Sequence, residues 1–321
     1  MIRVIFLGTA ASRPTVGRNV SAVLMHRLGE TFLFDCGEGT QRQMMRYGTG
    51  FALHHIFFTH MHADHILGLP GLLRTMGLQD RTEPMHLYCA RGEARIVSDA
   101  VHLGVDRIPF PVEIHELEPG QAVERDGYDI LPFATRHGRH SLGYALVEHD
   151  RLGRFDPERA RELGIPEGPL WGRLHEGVAV EIDGRTIEPD EVVGPARPAR
   201  RVVYTGDTRP GPTTIEHARN ADLLIHEATF AEEEADRARE TDHSTAREAA
   251  EMARAAGARR LALTHISPRY GLDSSTLEQE ARAVFPGAIV ARDGLEIEIP
   301  YPDADEAGDG EAGAAAPEAD G

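Results

Sequence analysis

Four side chains able to bind metal fall within six residues, His60-x-His62-x-Asp64-His65, directly after the apolar run Ile56-Phe57-Phe58. One tetrahedral ion cannot use all four from so short a loop, so they must divide between two ions. Two adjacent ions imply hydrolysis of a phosphate or carbonyl ester.

A lone histidine is usually incidental, but further β-like runs in this chain also end on a candidate ligand. They are Leu131 to His137, Val202 to Asp207, Leu223 to His226 and Glu227, and Leu261 to His265. Sheets of α/β proteins carry their functional groups at the carboxyl ends of strands. The chain therefore has the ligand pattern of a dinuclear metal centre built between strand ends.

With 321 residues, 41% of them hydrophobic, the chain has enough for a substantial core, as one large domain with an insertion or as two domains. Its opening, Met1 to Gly8, is too short an apolar run for a secretory leader and reads as a first strand. No apolar run approaches the length of a membrane span. Cys36 and Cys89 are too few for a disulfide framework, so a reducing cytoplasm is the expected compartment.

The net charge is −18, and all 34 basic residues are arginine. That balance fits adaptation to a salt-rich cytosol, where screening shortens to about 3 Å at 1 M salt, or a biased genomic composition. Seven of the acids fall in residues 302–321, which are expected to be a disordered acidic tail. An acidic chain would ordinarily be a poor partner for nucleic acid. Arginine is nonetheless clustered, at Arg13, Arg18, Arg42 and Arg46 and again at Arg151, Arg154, Arg159, Arg161 and Arg173.

Periodicity predicts strands at 2–8, 20–26, 31–35 and 53–58, then a helix over 66–80. A second series has strands near 84–89, 112–117, 128–135 and 142–148, with a helix near 93–103. From about Arg151 to Pro198 the regular pattern gives way to Gly, Pro and charge, with one helical stretch at 157–163; this reads as an inserted arm. Beyond it, strands near 201–205, 222–226, 260–264, 287–291 and 295–299 alternate with helices near 213–219, 245–256 and 275–284. Thr245-x-x-Glu248 is a capping box, and Gly257 stands where that helix should end. The expected architecture is α/β, a four-layer αββα sandwich with an inserted flexible arm and metals at strand ends between the sheets. One domain would span 1–301, with the arm at about 151–198.

The His-x-His-x-Asp-His loop with distal His and Asp ligands resembles the metallo-β-lactamase superfamily. The phrases Asp35-Cys-Gly-Glu-Gly-Thr-Gln41, Gly206-Asp-Thr208, His226-Glu-Ala-Thr229, His243-Ser-Thr245 and Thr264-His-Ile-Ser-Pro-Arg-Tyr270, together with the Gly-Pro arm, resemble the ribonuclease Z family from Met1 to about Pro300. The resemblance implies two Zn²⁺ per subunit, one held by His60, His62 and His137, the other by Asp64, His65 and His265, with Asp207 bridging. His140 is the alternative to His137. Asp64 is implied as proton acceptor and His243, partnered by Glu227, as donor to the leaving group; Asp35 orients a ligand histidine from behind. Pro14-Thr-Val-Gly-Arg-Asn19 resembles the family's loop that senses the CCA end, with Val16 in place of its lysine, so Arg18 and Asn19 are candidate substrate contacts. Gly168 and Pro169 are candidate contacts in the arm.

The resemblance implies removal of the 3′ trailer from precursor tRNA by a homodimeric enzyme, and no membrane association is expected. The rival is a small-molecule (thio)ester or phosphodiester hydrolase of the same fold. Such an enzyme would share the metals but have no use for a long arginine-bearing arm.

Overall fold

The computed structural model describes residues 1–105 and 107–301; the expected acidic tail at 302–321 lies outside them. The described residues form two compact units, 1–147 with 201–300, and 148–200 with Tyr301.

The larger unit begins with β1 (Ile2–Gly8), β2 (Ala22–Arg27) and β3 (Glu30–Phe34), followed by α1 (Thr40–Arg46) and β4 (His55–Phe57). Then come α2 (Ala63–Ile66), α3 (Leu69–Gly77), β5 (Met85–Ala90), α4 (Ala94–Val101) and β6 (Val112–Leu117). The next strands are β7 (Val123–Arg125), β8 (Tyr128–Ala134) and β9 (Leu142–Glu148). The smaller unit holds α5 (Pro157–Glu162), α6 (Pro169–His175), β10 (Val180–Ile182) and β11 (Arg185–Ile187). After it the chain returns through β12 (Arg201–Tyr204), α7 (Pro212–His217), β13 (Leu223–Glu227) and α8 (Ala235–Glu240). It closes with α9 (Ala246–Ala256), β14 (Leu261–Thr264), α10 (Ser275–Arg282), β15 (Ile289–Val290) and β16 (Glu296–Ile299).

Two seven-stranded sheets result, ordered β16-β1-β2-β3-β4-β5-β6 and β15-β14-β13-β12-β9-β8-β7. Strands β3 to β6 run parallel in one and β12 to β15 in the other. Side-chain alternation sorts each strand between two cores. On β1, Val4 and Phe6 join the central core with Phe34, Phe57, Tyr144, Leu146, Tyr204 and Ile225, whereas Ile5 and Leu7 face the helical side. The outer face of the first sheet is covered by Leu69, Leu72, Leu73, Val97 and Val101 from α3 and α4. Alanines of α9, with Leu277 of α10, cover the second around Val203, Leu224 and Leu263. These layers are the αββα sandwich expected from the sequence.

Differences from the sequence-based expectation have local causes. The helix foreseen over 66–80 is two, α2 starting three residues earlier, with a break before Leu69. A Cβ on Gly68 would lie 2.0 Å from the carbonyl oxygen of Gly37, and the Gly68 amide donates to Cys36 at 2.8 Å, so the backbones pass too closely for a continuous helix. The capping box and C-terminal glycine of α9 form as read: Thr245 accepts from the Glu248 amide, and Gly257 has φ 65°. The smaller unit has its own core of Ala160, Ile165, Leu174, Val180, Ile187 and Val192. Asp156 caps α5 by accepting from the Arg159 amide at 2.9 Å.

Candidate metal centre

Strand β4 delivers Thr59 and His60 at its carboxyl end, and the turn into α2 delivers His62, Asp64 and His65. The other candidate ligands arrive from the second sheet: His137 follows β8, Asp207 follows β12 and His265 follows β14. Their donor atoms form two groups, His60, His62, His137 and Asp207, and Asp64, His65 and His265, and a third, Asp207, His243 and His265, overlaps both. In the first, His60 Nε2 and His62 Nδ1 are 2.9 Å apart, and His137 Nε2 and His62 Nδ1 3.2 Å. In the second, His265 Nε2 lies 3.3 Å and His65 Nε2 3.6 Å from Asp64 Oδ2. The Oδ2 of Asp207 faces both, at 3.2 Å from His265, 3.4 Å from His65, 3.7 Å from His60 and 3.8 Å from His137.

These spacings suit cations. Tetrahedral bonds of about 2.0–2.1 Å put neighbouring donors roughly 3.3–3.4 Å apart. Asp207 supplies a second sign: its other oxygen, Oδ1, is buried with no hydrogen-bond partner, although only 3% of the side chain is exposed. A buried carboxylate oxygen left unpaired is costly unless something unseen satisfies it.

Surrounding groups aim the ligands. Asp35 is fully buried, in the left-handed region at φ 58°, and accepts from the Thr59 amide at 2.8 Å, the Thr59 hydroxyl at 2.9 Å, the Tyr204 hydroxyl at 2.9 Å and His65 Nδ1 at 2.8 Å. That leaves Nε2 of His65 facing Asp64 and Asp207, the carboxylate–histidine arrangement typical of metal sites. His137 gives its Nδ1 proton to the Asp242 carbonyl at 2.9 Å, and His265 Nδ1 meets the Thr229 hydroxyl at 2.9 Å. His140 is exposed and outside both groups.

Burial alone would lower the pKa of His65, but the carboxylates of Asp207 and Asp35 hold it well above the usual range. Asp64 is held below the ordinary carboxyl range: burial opposes this, and the His265 hydrogen bond and the charges of His65 and His265 outweigh it. Its Oδ2 also accepts from the Ser12 amide at 2.7 Å.

Next to the ligands, Glu227 is fully buried and accepts from His243 Nδ1 at 2.8 Å, from the amides of Thr208, Thr229 and Ser244, and from the Thr229 hydroxyl. Burial pulls the His243 pKa down, but the Glu227 carboxylate raises it to about 9. His243 stacks on His265 with ring centres 5.2 Å apart, at the rim of the ligand groups.

Arg18 and Asn19 serve the loop itself. The Arg18 guanidinium is buried and donates to Thr9 Oγ1 at 2.8 Å and to the Ala291 carbonyl at 2.5 Å, while Asn19 donates to the Glu38 carbonyl at 2.8 Å. A cleft of about 290 Å³ beside them is also lined by Val16, Arg42 and Arg46. Gly168 and Pro169 are exposed at the start of α6, in the smaller unit. Sequence reasoning missed the Ser12 amide, Thr59, Thr229 and Tyr204. Only Thr59 and Thr229, each within one or two residues of a motif histidine or glutamate, carried any signal.

Two family models match parts of the chain, that of the anti-Pycsar protein Apyc1 over residues 2–152 and that of a beta-lactamase superfamily domain over 191–266. Ribonuclease Z of Gemmatimonas aurantiaca is 62% identical over 297 residues, 92% of this chain and 95% of that protein. Ribonuclease Z of Haloferax volcanii is 54% identical over 310 residues, 96% of this chain and 98% of that protein. Among solved structures, the short form of human tRNase Z superposes with a TM-score of 0.67 at 29% identity, covering 93% of this chain and 99% of that one. Identity at this level over nearly the full length of both chains leaves one assignment: the chain belongs to the ribonuclease Z family.

Proposed function

We propose that the chain is a zinc-dependent endoribonuclease that removes the 3′ trailer from precursor tRNA, cutting the phosphodiester 3′ of the discriminator nucleotide. The observation that carries this reading is Asp207, whose Oδ2 lies 3.2–3.8 Å from imidazoles of both ligand groups, a bridging position. Imidazole and carboxylate donors suit zinc. His60, His62 and His137 would hold one ion, and Asp64, His65 and His265 the other, with Asp207 between. Bound there, zinc would supply Lewis-acid chemistry toward water and the scissile phosphate at neutral pH.

The chain's own groups then manage protons and position. Asp64, fixed by the Ser12 amide, orients the attacking water and accepts its proton. As the water oxygen bonds to phosphorus, the bond from phosphorus to the ribose 3′-oxygen breaks. That oxygen takes a proton from His243, whose Nδ1 is held by Glu227 so that Nε2 is presented. The Glu227 carboxylate favours the protonated, donor form of that ring. Arg18 and Asn19 shape the loop bordering the arginine-lined cleft, a surface suited to the tRNA 3′ end. The arm, with Gly168 and Pro169, grips the tRNA body through phosphate contacts that supply affinity and register. Cytoplasmic location, which rests on the scarcity of cysteine, and a homodimer, which the resemblance implies, complete the reading; sedimentation equilibrium tests the dimer.

The test compares substrates. The metal-loaded protein should cleave a 3′-extended tRNA with a kcat/KM orders of magnitude above that for a thioester, a lactam or a small phosphodiester. Preference for a small molecule would overturn the reading.

A further inference from the structure

A second cluster of metal-binding groups lies at the other end of the first sheet. His86 of β5 pairs in register with Glu113 of β6, and Tyr88 with His115, so His86, Glu113 and His115 share one face of two adjacent parallel strands. His86 Nδ1 is 3.1 Å from His115 Nε2 and 3.3 Å from Glu113 Oε2, and Glu113 Oε2 is 3.8 Å from His115 Nε2. We propose that His86, Glu113 and His115 form a separate binding site for a divalent transition-metal ion, Zn²⁺ or a cation of similar preference, outside the hydrolytic centre.

Hydrogen bonding alone explains the triangle poorly. Each of the two ring nitrogens can carry one proton, so hydrogen bonds satisfy the three contacts only pairwise. A cation accepts all three donors together, and the separations bracket the roughly 3.3–3.4 Å edge expected for tetrahedral bonds of about 2.0–2.1 Å. Two imidazoles and a carboxylate are a zinc-type set that leaves one position for water. The side chains are 28%, 51% and 38% exposed, so an ion can reach them from solvent.

The charged and titratable groups facing the cluster are His55, Tyr88 and Arg125. His55 stacks on His86 with ring centres 5.1 Å apart, and Tyr88 on His115 at 4.9 Å. The Arg125 guanidinium of β7 approaches His55 Nδ1 at 3.0 Å and the Tyr88 hydroxyl at 3.2 Å. Its charge opposes a cation, and Glu113 offsets that opposition. Burial, with His86 and Arg125 nearby, also lowers the pKa of His115, keeping the ring in the neutral form that ligation needs. His86 pairs with His55, five residues before His60, so at about 3.3 Å per residue the site lies roughly 16 Å from the hydrolytic centre. An ion there would clip the edge strand β6 to β5.

The experiment measures zinc per chain by elemental analysis after equilibrium dialysis of the native holoenzyme and of His115→Gln and Glu113→Gln, in zinc-buffered solution that saturates the native protein. The native chain should hold one equivalent more than His115→Gln, with tRNA cleavage unchanged, and Glu113→Gln should need higher free zinc to keep that equivalent. Glu113 is half exposed, so its variant decides the matter if His115→Gln fails to fold. Equal zinc content and equal zinc affinity in the native chain and the folded variants would overturn the proposal. Cleavage reports on the hydrolytic centre, so its failure is distinguishable from loss of this site.

Discussion

Replacing Asp35 by asparagine probes the support behind the hydrolytic centre. The Asp35 carboxylate receives the Thr59 amide, the Thr59 and Tyr204 hydroxyls and His65 Nδ1, all in a fully buried setting. Asparagine keeps the shape but offers one acceptor oxygen and two protons, so at least one donor meets an N–H and His65 loses its anionic partner. Loss of such a partner typically costs about 10–100-fold in metal affinity, or roughly 1.4–2.7 kcal/mol. Asp35→Ala should be worse, since each buried donor left without an acceptor costs about 1–3 kcal/mol and three residues supply them. Tyr204→Phe, which removes one donor with its acceptor still served by others, should be mildest. Competition with a chelator of known zinc affinity, read alongside cleavage of a 3′-extended tRNA, ranks the three. Native zinc affinity in Asp35→Asn would refute the claim that Asp35 aims His65 at the metal.

Removing the proposed proton donor, His243→Ala, should lower single-turnover cleavage of precursor tRNA by about 10²–10⁴-fold with little change in tRNA affinity. A substrate with a good leaving group should recover much of the loss; equal losses on both would contradict the role. The donor form prevails below the folded-state pKa, so native turnover should hold through neutral pH and fall as pH rises toward about 9, or earlier with dications alongside. A pH–rate profile keeping that limb in His243→Ala would assign it elsewhere. Gly206→Ala should reduce stability by about 1–3 kcal/mol in thermal unfolding and lower bound metal. Its Cβ would stand 2.6 Å from Thr59 Cβ at φ 58°; unchanged stability and metal content would contradict the close fit. Replacing 155–185 by a Gly-Ser linker should spare zinc content and small-phosphodiester hydrolysis but weaken precursor tRNA cleavage by orders of magnitude, less visibly as salt rises. Parent-rate processing by that variant would remove the arm from substrate binding.

The strands that bear candidate ligands were legible because each ends its apolar run on a histidine or aspartate, and inward and outward residues alternate cleanly, as Val4 and Phe6 do against Ile5 and Leu7. The covering helix α9 was legible from its cap and terminal glycine. What stayed hidden depends on distant parts of the chain. The break before α3 comes from the carbonyl of Gly37, and the Asp64 contact comes from the Ser12 amide, 52 residues away. The short β7, the hairpin β10–β11, and α8 have too few residues for periodicity to register. Arg18 shows the same limit: sequence marks a cation, but only packing shows its guanidinium spent on Thr9 and Ala291.

The most direct test of the account is to incubate the zinc-loaded chain with a tRNA transcript bearing a 3′ trailer and determine the chemistry of both new ends. Water attack with loss of the ribose 3′-oxygen predicts a 3′-hydroxyl on the discriminator nucleotide and a 5′-phosphate on the trailer, with neither formed by Asp207→Ala. A 2′,3′-cyclic phosphate, a cut within the tRNA body, or undiminished cleavage by Asp207→Ala would contradict it.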